Sequence, residues 1–243
     1  GPASESEAVF TQMCKAGLNV ARLNFSHGNH EEHLKRIRTI RKVREELKLP
    51  IPIMLDTKGP EYRTGVFKDH RVTLKDGQDF TFTTEDIEGD ETRVSVSYKG
   101  FAKDLRKGDR VLVNNGLVVC TVKEINGNEV LCRVDIGGEL SDRKSMNFPG
   151  RLMSNAFLSE QDKKDLLFGI EQDVDYVAAS FMSTKEDALE MRNFLDENGG
   201  QDIDIIAKIE NRSGVDNVEA ISEVVDGIMV ARGDLGVEIP FVE

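Results

Sequence analysis

Two short apolar runs that end in charge constrain this chain more than any other feature. Ile205-Ile-Ala-Lys208-Ile-Glu210-Asn211 is answered further on by Met229-Val-Ala-Arg232-Gly233-Asp234-Leu-Gly236. Runs of Ile, Val and Ala this short, flanked by amphipathic helical segments, predict parallel strands buried on both faces. Charge is then confined to the ends, where strands emerge into loops and α/β enzymes keep their chemistry. Side chains two apart on a strand share a face, so Lys208 and Glu210 stand side by side, with Asp234 shortly after its own strand. A cation beside two carboxylates suggests a divalent metal and an anionic substrate.

Two more strands repeat the design with different residues. In Asn19-Val-Ala-Arg22-Leu-Asn24-Phe-Ser26-His27-Gly28, Arg22, Asn24 and Ser26 point one way at period two, while Leu23 and Phe25 point the other and pack. Ile51-Pro-Ile-Met-Leu55 ends in Asp56-Thr57-Lys58-Gly59-Pro60-Glu61. Hydroxyl, amide and carboxylate oxygens without imidazole or thiolate are a hard-cation ligand set, suited to Mg²⁺, Mn²⁺ or K⁺ rather than zinc.

Composition narrows the classes. The 243 residues, 39% hydrophobic, suffice for one large domain or two ordinary ones with a real core. No apolar run reaches about 18 residues and no export signal is present, so a soluble cytoplasmic protein without membrane contact is expected. The net charge of −12, from 32 Lys and Arg against 44 Asp and Glu, argues against nucleic-acid and anionic-membrane binding. The basic run from Lys35 to Arg44 is read as a solvated helix face. An anionic substrate must then be attracted locally, and Arg22, Arg63, Lys208 and Lys144 are the candidates. Cys14, Cys120 and Cys132 have no metal-ligand spacing and are read as reduced packing residues.

Two styles of sequence alternate along the chain. From Gly1 to Pro60 helix and strand alternate: a helix from Glu5 to Ala16 capped by Ser4, a strand Leu18 to Leu23, a helix Glu31 to Lys48, and the strand ending at Leu55. Residues 61–155 read as short alternating strands with Asn115-Gly116 and Asn126-Gly127 as hairpin turns, a small all-β barrel or sandwich. Residues 156–243 resume the α/β rhythm, with helices Glu160 to Glu171, Lys185 to Asn198 and Val215 to Val225 before strands Asp175 to Ser180, Asp204 to Ile209 and Gly227 to Ala231. A β module is therefore inserted into an α/β domain. An open doubly wound sheet would share this rhythm, but functional residues at every strand end favour a (β/α)₈ TIM barrel. Only five barrel-type strands are found, so part of a longer protein is expected.

The strings Gly1-Pro-Ala-Ser4, Asn19 to Gly28, Leu55-Asp-Thr-Lys-Gly-Pro-Glu61, Arg63-Thr-Gly65, Ala207-Lys-Ile-Glu-Asn211 and Met229 to Pro240 occur in one order. In them the chain closely resembles pyruvate kinase of the bacterial type, over about the first half of a subunit. The resemblance implies a barrel A domain interrupted by a mobile lid, and phosphoryl transfer from phosphoenolpyruvate to ADP, giving pyruvate and ATP. It implies that Glu210 and Asp234 bind Mg²⁺ or Mn²⁺, that Lys208 stabilises the phosphoryl group in flight, and that Arg22 grips phosphate. It places the substrate carboxylate at the backbone of Ala231, Arg232 and Gly233, beside Asp234. Asn24, Ser26, Asp56 and Thr57 match a K⁺ site, and Glu61 matches the K⁺-dependent branch. Nucleotide contacts carry over to Asn24, His27, Arg63 and Lys144, and the full-length protein is implied to be a cytoplasmic homotetramer.

Two departures stand out. Val113-Asn-Asn-Gly116 replaces an expected Val-Asp-Asp-Gly, and Ser154-Asn-Ala-Phe-Leu-Ser159 lacks the Pro expected at the return hinge. From the residues alone, His27 reads equally as a turn residue, Lys144 as plain surface, and Asn114 with Asn115 as a hairpin turn. Two rival functions remain: a lyase of the phosphoenolpyruvate/pyruvate barrel type, which needs no K⁺ site or β insertion, and an inert fragment that binds only metal or nucleotide. The residues the family uses to protonate the enolate are expected beyond Glu243.

Overall fold

The structure is a computed structural model that describes residues 1–239. It comprises two compact units, Gly1–Pro60 with Phe157–Ile209 and Asn217–Val230, and Glu61–Ala156 with Glu210–Asp216 and the chain from Ala231. Helix α1 (Glu7–Lys15) begins at Glu7 rather than Glu5. Ser6, not Ser4, is its cap, accepting from Val9 N at 3.4 Å, because Ser4 closes a turn on the Gly1 carbonyl at 2.8 Å. Strand β1 (Ala21–Asn24) leads to α2 (His30–Leu47), which opens on the Asn29 side chain and buries Ile37, Ile40 and Val43 as one stripe. Strand β2 (Ile53–Asp56) lies parallel to β1, with Ala21 opposite Ile53 and Asn24 opposite Asp56.

The second unit carries β3 (Arg71–Leu74), β4 (Asp79–Thr83), β5 (Arg93–Ser95), a helical turn α3 (Phe101–Asp104), β6 (Arg110–Val113), β7 (Val118–Asn126), β8 (Glu129–Ile136), β9 (Gly138–Ser141) and β10 (Met146–Asn147). Six strands form one sheet in the order β10-β6-β7-β8-β4-β5, and β3 pairs separately with β9. Phe80, Phe82, Phe101, Val111 and Val130 are fully buried in its core. The β7–β8 loop is Gly127 and Asn128, one position later than the Asn126-Gly127 expected, because Asn126 pairs with Glu129 in the ladder. Asn114 and Asn115 both take φ of 56° in the β6–β7 turn, and Ser145 ties them down: its carbonyl accepts from Asn114 N and its hydroxyl donates to Asn115 Oδ1 at 3.0 Å. The start of the segment without proline is held in the same unit, where the Asp104 carboxylate accepts from Ser154 N and Oγ, both at 2.8 Å, and Tyr62 donates to Asn155. Cys14, Cys120 and Cys132 are buried free thiols, and burial pushes Cys120 up to about 12.

The chain then forms α4 (Glu160–Glu171), β11 (Tyr176–Ala179), α5 (Lys185–Glu197), β12 (Asp204–Ile209), α6 (Arg212–Asp216), α7 (Val218–Ser222), β13 (Gly227–Val230) and α8 (Arg232–Glu238). Reciprocal capping boxes, Ser159 with Asp162 and Thr184 with Asp187, open α4 and α5. The single helix expected from Val215 to Val225 is instead two, broken at Asn217, whose amide donates to the Ser183 carbonyl at 2.9 Å. The parallel sheet runs β1-β2-β11-β12-β13. Its order follows the chain without the reversal of a doubly wound sheet, so the fold is α/β with a half-barrel sheet. Ile53, Leu55, Ile205 and Ala207 are fully buried, as double-sided burial requires. Strand β13 departs from that expectation: it is an edge strand, and Val230 is 59% exposed. Pro240, Phe241, Val242 and Glu243, the end of the last motif string and of the 156–243 segment, lie outside the described residues. Among the described residues no helix is long and apolar enough to cross a membrane.

Candidate active site

Parallel register brings four strand ends to one edge of the sheet. Asn24 pairs with Asp56, Asp56 with Ala178, and Ala179 with Ala207, so Asp56, Ser180 and Lys208 come level near the same end of the sheet. Asp56 is 1% exposed. Arg22 donates to its Oδ2, and the Lys208 ammonium lies 3.1 Å from its Oδ1. Lys208 Nζ also donates to Ser180 Oγ at 2.7 Å. The Ser180 hydroxyl has one proton, which goes to the Thr57 carbonyl at 2.6 Å rather than to Asp56 at 3.3 Å. Ser180 N donates in turn to Thr57 Oγ1 at 3.0 Å, and Thr57 N to the Ala178 carbonyl at 3.0 Å.

A buried carboxylate is tolerable only when paired and hydrogen-bonded. Here two cations, Arg22 and Lys208, converge on one buried carboxylate. The Arg22 side chain is half exposed while Lys208 is nearly enclosed, so the group presented outward is a guanidinium fixed from behind by Asp56. Such a fork suits a phosphate or carboxylate.

The other residues singled out from the sequence divide between the units. Asn24 Oδ1 accepts from Ser26 N at 2.9 Å, and Phe25 N donates to the Asp56 carbonyl at 2.9 Å, fixing the loop after β1 to the same site. His27 is exposed on that loop. Glu210, 2% exposed, follows β12 directly, and Ile209 pairs with Val230, so the chain leaves both strands at the same end of the sheet. Glu210 itself, with Ala231, Arg232, Gly233 and Asp234 around the start of α8, is grouped with the second unit. Also there, Arg63 grips Glu61 through Nε at 3.1 Å and Nη2 at 2.9 Å and reaches the Arg143 carbonyl at 2.9 Å. Lys144 N donates to Thr64 Oγ1 at 2.9 Å. Among the described residues no group of three His, Cys, Asp or Glu side chains is gathered as a metal cage. Ser180 escaped the sequence reading: a serine ending Val177-Ala-Ala-Ser180 looks like any strand end until Lys208 is seen beside it.

The family model for the pyruvate kinase barrel domain matches residues 1–243. The chain belongs to the pyruvate kinase family. It is 49% identical over 241 residues to a pyruvate kinase of Clostridium acetobutylicum, covering 99% of this chain and 51% of that protein. It is 48% identical to one of Staphylococcus haemolyticus, covering 99% of this chain and 41% of the relative. A crystal structure of a pyruvate kinase from Cryptosporidium parvum superposes with a TM-score of 0.96 at 37% identity, over all of this chain and 51% of that one. The chain thus spans about half the length of the pyruvate kinases it matches.

Proposed function

We propose that this chain is the site-bearing part of a cytoplasmic glycolytic pyruvate kinase, which transfers the phosphoryl group of phosphoenolpyruvate to ADP. The carrying observation is the convergence of Arg22 and Lys208 on the buried Asp56 at the end of the parallel sheet. In the reaction the bond from phosphorus to the enolate oxygen breaks, a bond to a terminal ADP oxygen forms, and the enolate takes up a proton to give pyruvate. Arg22 grips the phosphate. Lys208, aimed by Ser180, faces the charge that spreads over the phosphoryl oxygens in flight, where positioning and electrostatics do most of the catalysis. The backbone of Ala231, Arg232 and Gly233 receives the substrate carboxylate, and Asn24, His27, Arg63 and Lys144 contact the nucleotide.

Glu210 and Asp234 supply the carboxylate oxygens that a divalent ion prefers, and Asn24, Ser26, Asp56 and Thr57 an all-oxygen set suited to K⁺. A bound Mg²⁺ or Mn²⁺ would neutralise phosphate charge. In this reading residues 61–155 are the lid, the parallel sheet is the first part of a closed barrel, and the whole protein is a homotetramer. The test is pyruvate formation by the whole protein from phosphoenolpyruvate and ADP with Mg²⁺, in KCl against NaCl. Turnover should need ADP and rise with K⁺, and Lys208→Ala should lower kcat by at least about 10²-fold, as removal of a preorganised donor does. ADP-independent cleavage of a carbon–carbon bond would favour the lyase instead.

A further inference from the structure

The loop from Asn24 to Gly28 carries two of the proposed K⁺ ligands, yet it makes few bonds of its own. Its far end is held by α2. Ring to ring, His33 stacks on Phe25 with centroids 3.9 Å apart and planes 8° from parallel. His33 Nε2 lies 2.9 Å from the His27 carbonyl. A carbonyl only accepts, so the proton of this ring is on Nε2. The ring is 2% exposed and its Nδ1 has no partner. Burial holds the imidazole below the usual histidine range against the opposing pull of the His27 bond, and Arg36 lowers it further, so the ring is neutral. Gly28 completes the clamp: at φ +83° it lies so close to α2 that a Cβ would stand 2.6 Å from Glu32 Oε2 and 3.5 Å from His33 Nε2.

A phenylalanine at this position would keep the stack on Phe25 and leave no buried nitrogen unpaired, an orphan that costs about 1–3 kcal/mol. The imidazole is therefore poorly explained by packing and well explained by its one donor. We propose that His33 is a positioning residue: its Nε2–H fixes the His27 carbonyl, and with it the turn in which Asn24 and Ser26 are presented to the site. It touches no substrate. The purpose given to the loop rests on the pyruvate kinase reading, whereas the clamp itself does not.

The test compares His33→Phe, which keeps the stack and loses the donor, with His33→Gln, whose amide N–H can stand where Nε2–H does. Two readouts are taken on the protein: the rise in Tm with KCl over choline chloride at equal ionic strength, and hydrogen exchange at the Ser26 and His27 amides. His33→Phe should retain its far-UV circular dichroism but need about tenfold more K⁺ and exchange those amides about tenfold faster, the equivalent of one hydrogen bond. His33→Gln should restore both. Two outcomes overturn the proposal: His33→Phe behaving as wild type in both readouts, or Gln failing as badly as Phe, which would make ring shape rather than the donor decisive. Wild type without any K⁺ response would refute the cation-site reading, and the exchange rates alone would then decide whether His33 clamps the loop.

Discussion

In the parallel sheet, polarity is pushed to the strand ends; in the six-stranded sheet it is spread along a face. Strands β11 and β12 bury side chains on both sides, so Asp56, Ser180 and Lys208 appear only toward the end of the sheet. Strand β8 alternates in burial along its length, and polar pairs in that unit, such as Lys123 with Asp79 at 2.8 Å, lie in the open. One arrangement gathers charge from several strands into a low-dielectric corner, where each interaction is strong and each loss costly. The other hands its charges to water, where an ion pair contributes about 0–1 kcal/mol.

The largest expected effect breaks or upholds that contrast. Asp56→Ala takes one buried carboxylate away from the enclosed Lys208 and the Arg22 fork, and breaking a buried pair from one side costs about 3–5 kcal/mol. Asp79→Ala, losing a solvated partner of Lys123, should cost less than about 1 kcal/mol. Urea denaturation of both variants decides; equal losses would mean that the strand-end cluster is no more buried in its energetics than an open face. Next in size, Ser180→Ala removes the acceptor at 2.7 Å from the Lys208 ammonium, and a hydrogen bond to a charged group is worth about 1.5–3 kcal/mol. Because Ser180 aims Lys208, kcat for pyruvate formation should fall more than tenfold while KM for ADP stays put. A variant with wild-type kcat would reduce Ser180 to a packing residue.

The same contrast explains what could be read from the sequence. Strand ends in the α/β unit were legible because an apolar run that stops at charge has few other meanings, and Arg22, Asp56 and Lys208 were found that way. Their mutual contacts were not legible, since Asp56 meets Ala178 through a pairing of strands far apart in the chain. Helix α4 spans the Glu160 to Glu171 expected, opened in the structure by the Ser159 capping box. At α1 two serines competed for the cap and local hydrogen bonding chose the later. In the β unit, β9, β10 and α3 went unread: Gly138-Glu-Leu-Ser141 and Met146-Asn147 have too little alternation, and only tertiary pairing with β3 and β6 makes them strands.

The smallest effect lies in the β unit and concerns acid. Asp90 precedes β5, and its Oδ1 accepts from Thr92 Oγ1 at 2.6 Å, Thr92 N at 2.9 Å and Arg93 N at 3.2 Å, with the Lys68 ammonium 3.4 Å from Oδ2. The Thr92 hydroxyl, then its amide, hold the carboxyl down at about 2, against an ordinary 3.8. The folded form therefore favours the ionised carboxylate, and its contribution is complete above about pH 4 and lost as pH falls from 4 toward 2. Partial exposure screens it, so about 1 kcal/mol is expected rather than the full value of the shift. Asp90→Asn keeps an oxygen acceptor for the turn but cannot titrate. The difference in urea midpoint between wild type and variant should accordingly shrink between pH 4.5 and 2.5, with all other carboxylates cancelling. Parallel loss of stability in the two proteins across that range would show that the Asp90 turn is as solvated as the open ion pairs around it, and would extend the contrast between the sheets to this last polar feature.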